Sequence, residues 1–261
     1  MKRPLIACCC LFAVTILSAC SNDGSGTATV DEDTTSTKAK SPPVVETETE
    51  TPEGKVLRHA VFFSFRGESD DSDKQMVVDA FKALPGKIGV IKGFQNGTNN
   101  STEKLDDGFT HCFLLTFDDI AGRELYRPHP AHSGEFASIL RPHMDKAFVM
   151  DYWGTPYEPL GKELKHCVFF KFKDDAAPED VKKIEDAFAA LPSKINAIKA
   201  FEWGLNNSPE KKDEGFTHCF VVTFDSEEGR EAYLPHPEHE AFVEILKPVL
   251  DKVRVLDFWV E

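Results

Sequence analysis

The sequence predicts an α+β fold built twice: two tandem βαββαβ units packed sheet to sheet within one chain. Three observations predict it. A block of about a hundred residues recurs. The strands inside that block are apolar on both faces. Residues 21–55 contain no Phe, Tyr, Trp, Leu or Ile, so they contribute to neither unit.

The recurrence is read residue by residue. Leu57-Arg58-His59-Ala60-Val61-Phe62-Phe63 returns as Leu164-Lys165-His166-Cys167-Val168-Phe169-Phe170, a spacing of 107 residues. The same spacing carries Gly108-Phe109-Thr110-His111-Cys112-Phe113 to Gly215-Phe216-Thr217-His218-Cys219-Phe220, and Pro128-His129-Pro130 to Pro235-His236-Pro237. It also carries His132 to His239; one residue is then lost, and the match resumes at Asp145-Lys146 and Asp251-Lys252. Each copy exceeds a solenoid repeat and closes with its own strand, so each is a domain, over 56–154 and 163–261.

Within the first copy, Leu57 to Phe65 alternates so that His59, Val61, Phe63 and Phe65 face one way while Ala60 and Phe62 face the other. Asp73 to Leu84 predicts a helix with Met76, Val77, Ala80, Phe81 and Leu84 on one side, ended by Pro85-Gly86. A short strand follows near Gly93 to Gly97. Asn99 to Gly108 is a polar turn. Phe109 to Phe117 is a strand carrying Phe109, His111, Phe113, Leu115 and Phe117 on one face. A short helix covers 119–126, a second starts near Pro130 with Phe136, Ile139 and Leu140, and Phe148 to Trp153 is the last strand. This order is the ferredoxin-like arrangement. Two-faced apolar strands in an antiparallel sheet need cover on both sides. The unit's own helices cover one face and the sheet of the other copy covers the second, which makes an intrachain pseudo-dimer with a barrel-like interior.

Net charge is −14 and no Lys/Arg cluster is present, which excludes nucleic-acid backbones and electrostatic membrane adsorption as partners. The amino terminus reads differently. Lys2-Arg3 precedes an apolar run from Pro4 to Leu17, too short to span a bilayer and fit for a signal peptide over 1–19. Leu17-Ser18-Ala19-Cys20 resembles the lipobox of bacterial lipoproteins. That resemblance implies lipidation of Cys20 and an exported protein anchored to the cell envelope, on the periplasmic side or at the surface. Residues 20–55, rich in Thr and Glu, cannot bury enough apolar area to offset their ordering entropy and form a disordered acidic tether. Once the leader cysteines and Cys20 are set aside, Cys112, Cys167 and Cys219 remain. With no CxxC pair, they read as small apolar strand residues.

Several motifs together resemble the stress-responsive A/B barrel (Dabb) family, part of the dimeric α/β barrel superfamily. They are the opening His-x-Val-Phe-x-Phe strand, the Gly-Phe-Thr-His strand, and Tyr126-Arg127-Pro128-His129-Pro130-Ala131-His132 with its counterpart Tyr233-Leu234-Pro235-His236-Pro237-Glu238-His239. Most members have no assigned reaction. In its plant polyketide cyclases, the last histidine of the Tyr-x-x-His-Pro-x-His segment is the base and the tyrosine assists. Carried over, catalysis would fall on His132 with Tyr126 and on His239 with Tyr233. The resemblance also places the strand histidines His59, His111, His166 and His218 around a ligand, and His129 and His236 of the same segments are candidate ligand contacts beside them. The first-helix tyrosine of the cyclase pocket has no counterpart in this sequence.

The chemistry agrees: a histidine titrates near neutrality, and a tyrosine hydroxyl can hold a developing enolate oxygen. First and third strands are neighbours, so His59 and His111 are expected to meet on one Phe-lined face. Structural roles compete, because His129-Pro130 also suits a helix start. His129 and His132, three apart, with His59 or His111 would make a three-histidine set, but no motif places a carboxylate and no metal is assigned. Gly97-Thr98-Asn99-Asn100 and Gly204-Leu205-Asn206-Asn207 lack the Lys-Ser/Thr of a phosphate loop and read as turns, so no cofactor is implied. Three readings remain: a protein binding a small apolar or aromatic molecule, a cyclase or isomerase with His132 and His239 as bases, and a structural envelope protein with its pocket packed shut.

Overall fold

A computed structural model describes residues 51–156 and 159–261. The expected signal peptide, the lipidation site Cys20 and the tether up to residue 50 lie outside them. Among the described residues no helix is long and apolar enough to cross a membrane.

Each copy folds as the hydrophobic pattern requires. In the first, β1 (Val56–Phe65) is followed by α1 (Asp71–Lys82), β2 (Gly93–Thr98), β3 (His111–Phe117), α2 (Ile120–Tyr126), α3 (Ala137–Leu140) and β4 (Met144–Gly154). The second copy gives β5 (Leu164–Phe172), α4 (Pro178–Ala190), β6 (Ala200–Leu205), β7 (His218–Phe224), α5 (Glu227–Tyr233), α6 (Pro237–Leu246) and β8 (Leu250–Trp259). Helix α1 starts at a capping box in which Asp70 and Asp73 satisfy each other's backbone N–H groups. The sheets are antiparallel, with strand orders β2-β3-β1-β4 and β6-β7-β5-β8, so the nearly fully buried strands β1 and β5 are interior in each.

The two faces of β1 go to different cores. Leu57, Val61 and Phe63 pack on Val77, Phe81, Leu84 and Phe136 of their own copy. Ala60 and Phe62 meet the other sheet through Cys167, Phe169, Val221 and Leu256, and Phe62 and Phe148 lie 5.2 and 5.0 Å from the Phe169 ring. Each fully buried Phe contributes on the order of 1.5–3 kcal/mol, so this layer bonds the copies as firmly as a domain core. Cys112, Cys167 and Cys219 sit in it as free, buried thiols, and burial pushes all three up from the ordinary thiol value.

The barrel closes where sheet edges cross. Asn207 N donates to Asp151 O and Asn100 N to Asp257 O, both at 2.8 Å, and Asn99 bridges to Phe258. The Gly97–Asn100 and Gly204–Asn207 segments, expected as turns, therefore end strands and form the seam. Their glycines permit it: a Cβ on Gly97 would run into the carbonyl of Trp259, and one on Gly204 would lie 3.0 Å from the Cβ of Tyr152. Beyond the seam each loop passes over the other copy, where Val149 N donates to Lys212 O and Val255 N to Leu105 O.

Three details differ from the pattern-based expectation. Met76 is 46% exposed, whereas Val78 is buried, because α1 presents its Val77–Val78–Phe81 stripe to the sheet. Phe109 does not share the face of Phe113. The strand begins only at His111, after a turn with positive φ at Asp107 and Gly108, and Phe109 drops into the intersheet layer. Finally, the extra residue after His132 is absorbed as a π-helical turn over Pro130–Phe136, in which Ala137 N–H reaches back to His132 O; the second copy has an ordinary helix there.

Candidate functional site

In each copy a cavity lies between the sheet and its own helices, outside the filled intersheet layer. The first holds about 270 Å³ and is lined by His59, Val61, Phe63, Phe81, Tyr126, His132, Phe136, Leu140 and Met144, with Glu210 and Lys212 from the other copy. The second holds about 250 Å³, lined by His166, Val168, Phe170, Phe188, Tyr233, His239, Phe242 and Leu246, with Glu103 and Leu105 from the first copy. Each pocket is thus completed by a loop that crossed the seam.

The tyrosine is the last residue of α2 or α5 and is fully buried. Its ring stacks 4.2 Å from His132 in the first copy and lies tilted 4.3 Å from His239 in the second. Both tyrosine hydroxyls are buried without a hydrogen-bond partner. Burial raises both phenols, so each hydroxyl stays protonated and able to donate.

His132 Nδ1 lies 2.9 Å from Arg127 O, and His239 Nδ1 lies 2.8 Å from Leu234 O. A carbonyl only accepts, so Nδ1 carries the proton and Nε2 of the neutral ring is a bare acceptor. Burial lowers both histidines, against the opposing pull of those backbone bonds. Both are therefore neutral bases at neutral pH.

The strand histidine forms the pocket floor. His59 Nδ1 is 2.6 Å from Asp151 Oδ1, whose Oδ2 accepts from Arg123 Nη1 at 2.9 Å; that guanidinium also donates to Asn207 O and Oδ1 of the other copy. The second copy repeats it, with His166 to Asp257 at 2.7 Å, Asp257 to Arg230 at 2.8 Å, and Arg230 to Asn100. The carboxylate fixes the tautomer and turns Nε2 toward the cavity, where His59 Nε2 is 3.9 Å from Glu210. Burial alone would lower His166, but the charge and hydrogen bond of Asp257, with Glu103, outweigh it and the net shift is upward. Glu103 is itself raised by burial, the His166 charge opposing.

Of the histidines named from the sequence, His59, His132, His166 and His239 line the cavities, with Tyr126 and Tyr233. The other four do not. His111 pairs with Phe63 and His59 with Leu115, so the two share a face but stand four residues apart along it and do not meet. His111 packs edge-on against Phe65 instead. His218 bonds Thr217 and Glu185 and borders an open surface groove. His129 and His236 cap helices, each accepting from a backbone N–H two residues on at 3.2 Å. Among the described residues no group of three His, Cys, Asp or Glu is arranged to hold a metal ion.

The sequence reading missed Asp151, Asp257, Arg123, Arg230, Glu103 and Glu210. One signal was available: each pair is identical at equivalent positions of the two copies.

Comparison with known proteins places this geometry. The stress responsive A/B barrel domain model matches residues 57–154 and 164–260. A stress-response A/B barrel domain-containing protein, HS1, of Arabidopsis thaliana is 39% identical over 95 residues, 36% of this chain and 87% of that protein. Olivetolic acid cyclase of Cannabis sativa is 30% identical over 95 residues, 36% of this chain and 94% of that enzyme. The crystal structure of an anthrone oxidase-like protein covers 81% of this chain and 93% of its own at a TM-score of 0.58 and 12% identity, a likeness of fold across both copies. With both copies matched from first strand to last, the chain belongs to the stress-responsive A/B barrel family.

Proposed function

We propose that this protein binds small, largely apolar molecules carrying a polar group, one in each copy, while held at the cell envelope by lipidated Cys20. The observation that carries the reading is the pair of buried, unpartnered hydroxyls of Tyr126 and Tyr233 in Phe-rich cavities. A buried hydroxyl without a partner costs on the order of 1–3 kcal/mol, and a ligand carbonyl or hydroxyl offsets that cost. The size fits, since a dry cavity of about 150 Å³ takes up benzene. A pocket packed shut, as a purely structural envelope protein would have, does not match these volumes.

Native mass spectrometry of the full chain purified from its host tests this reading. A small molecule retained by the wild type and lost from the Tyr126→Phe/Tyr233→Phe variant is expected. A bare mass that stays bare after incubation with apolar carbonyl compounds refutes it.

A second reading, acid-base catalysis of the cyclase or isomerase type, is favoured by the Nε2 acceptors of His132 and His239 packed against the tyrosines. The 30% identity of one copy to olivetolic acid cyclase supports the same reading. Replacing His132 and His239 by Ala then abolishes turnover and weakens binding only modestly, whereas for a pure binder no turnover is found in either protein.

A further inference from the structure

The two cavities are nearly equal in size, 270 and 250 Å³, but their mouths are not equal in charge. The loop that crosses to the first site carries Lys212, and the one that crosses to the second carries Leu105 at the equivalent position. Arg127, at the end of α2, has Leu234 as its counterpart. Beside the first cavity, and sharing His132 and Glu210 with it, lies an open outer groove of about 420 Å³ that Arg127 borders. The acidic groups there already face cations: Glu124 lies 3.0 Å from Arg127, and Glu210 lies 3.5 Å from Lys212. At the second mouth Lys247 is engaged by Glu244 at 2.6 Å, and the buried Glu103 Oε1 has no hydrogen-bond partner.

Resting on the binding function proposed above, we infer that the copies have diverged in ligand charge: the first site takes an amphipathic carboxylate and the second takes a neutral molecule of similar size. In the first, the apolar body fills the Phe-lined chamber and the carboxylate reaches Arg127 and Lys212. Charge-assisted hydrogen bonds of this kind are roughly twice as strong as neutral ones. In the second, Leu105 and Leu234 offer an anion no donor and Lys247 is already engaged by Glu244, while a carbonyl or amide still finds the Tyr233 hydroxyl. The π-helical turn, over Pro130–Phe136, belongs to the first site alone and carries His132, which borders the outer groove together with Arg127 at the end of α2.

The test is calorimetric titration of the full chain with para-propylbenzoate and its neutral isostere para-propylbenzamide, with stoichiometry read by native mass spectrometry. One equivalent of benzoate is expected. The Arg127→Leu/Lys212→Leu variant should weaken benzoate binding at least tenfold and leave the benzamide within twofold. The reciprocal Leu105→Lys/Leu234→Arg variant should create a second benzoate site. The charge assignment is overturned if the benzoate fills both sites equally, or if the first variant weakens both ligands alike. If neither ligand binds, the binding function itself fails and this assignment falls with it.

Discussion

Replacing Asp151 by Asn tests the most buried element of the site. The side chain keeps its shape but loses its charge, and Asp151 is 0% exposed. The change takes from Arg123, 5% exposed, its only buried anion, leaving the half-exposed Glu124 at 3.2 Å, and removes the charged acceptor 2.6 Å from His59 Nδ1. Breaking a buried pair by removing one partner costs about 3–5 kcal/mol, because the remaining charge stays buried and uncompensated. For a folded unit of roughly 200 residues each kcal/mol moves Tm by about 2–4 °C, so a fall of about 6–20 °C is expected. The assay is guanidinium and thermal denaturation of wild type, Asp151→Asn, and Asp151→Asn with Arg123→Met. The double variant removes the stranded cation and should recover a large part of the loss, a coupling that the cycle measures. A single variant within about 1 kcal/mol of wild type, or a double variant no more stable than the single, would refute the reasoning.

Other outcomes follow from the same geometry. In a histidine NMR titration, His132 and His239 should titrate below the ordinary value of 6.5 and His166 above it. The stability signs are opposite: what His132 and His239 contribute is full above 6.5 and lost as pH falls through their folded values, whereas what His166 contributes is full below 6.5 and lost as pH rises through its folded value. Gly97→Ala should cost about 1–3 kcal/mol by overpacking the barrel seam, while Gly134→Ala, whose Cβ meets nothing within 4 Å, should not destabilise; thermal melts separate them. Deleting Gly134 restores the spacing of the second copy, so the π-helical turn should become α-helical, the melting midpoint should rise and para-propylbenzoate affinity should fall.

The fold was legible because its signals are local or repeated. Alternation along Leu57 to Phe65 assigned His59 and Phe63 to one side and Phe62 to the other, and two-sided hydrophobicity demanded a second sheet. The Tyr126–His132 neighbourhood was legible for a similar reason, since both residues lie on one short segment. Asp151 was not. In Val-Met-Asp-Tyr-Trp it reads as an ordinary charge on a strand, and only the pairing of β1 with β4 puts it opposite His59. Glu210 and Glu103 were hidden more deeply, because their place depends on loops that cross between copies. His111 shows the converse: alternation put it on the correct face, but strand register, which no local pattern encodes, set it far from His59.

Near the pseudo-twofold axis, Phe148 and Arg254 occupy equivalent positions and touch, with the guanidinium 4.3 Å from the ring centre and held by Asp107 and Glu214. Two copies of the second half would set two guanidinium groups against each other there. Two copies of the first half would leave paired phenyl rings and no cation for the acidic loops. The second half is therefore a poor partner for itself and a good one for its sibling. Within one chain the two halves are free to differ at this point of contact, so they fit as lock and key, which two copies of a single unit cannot do across a twofold axis.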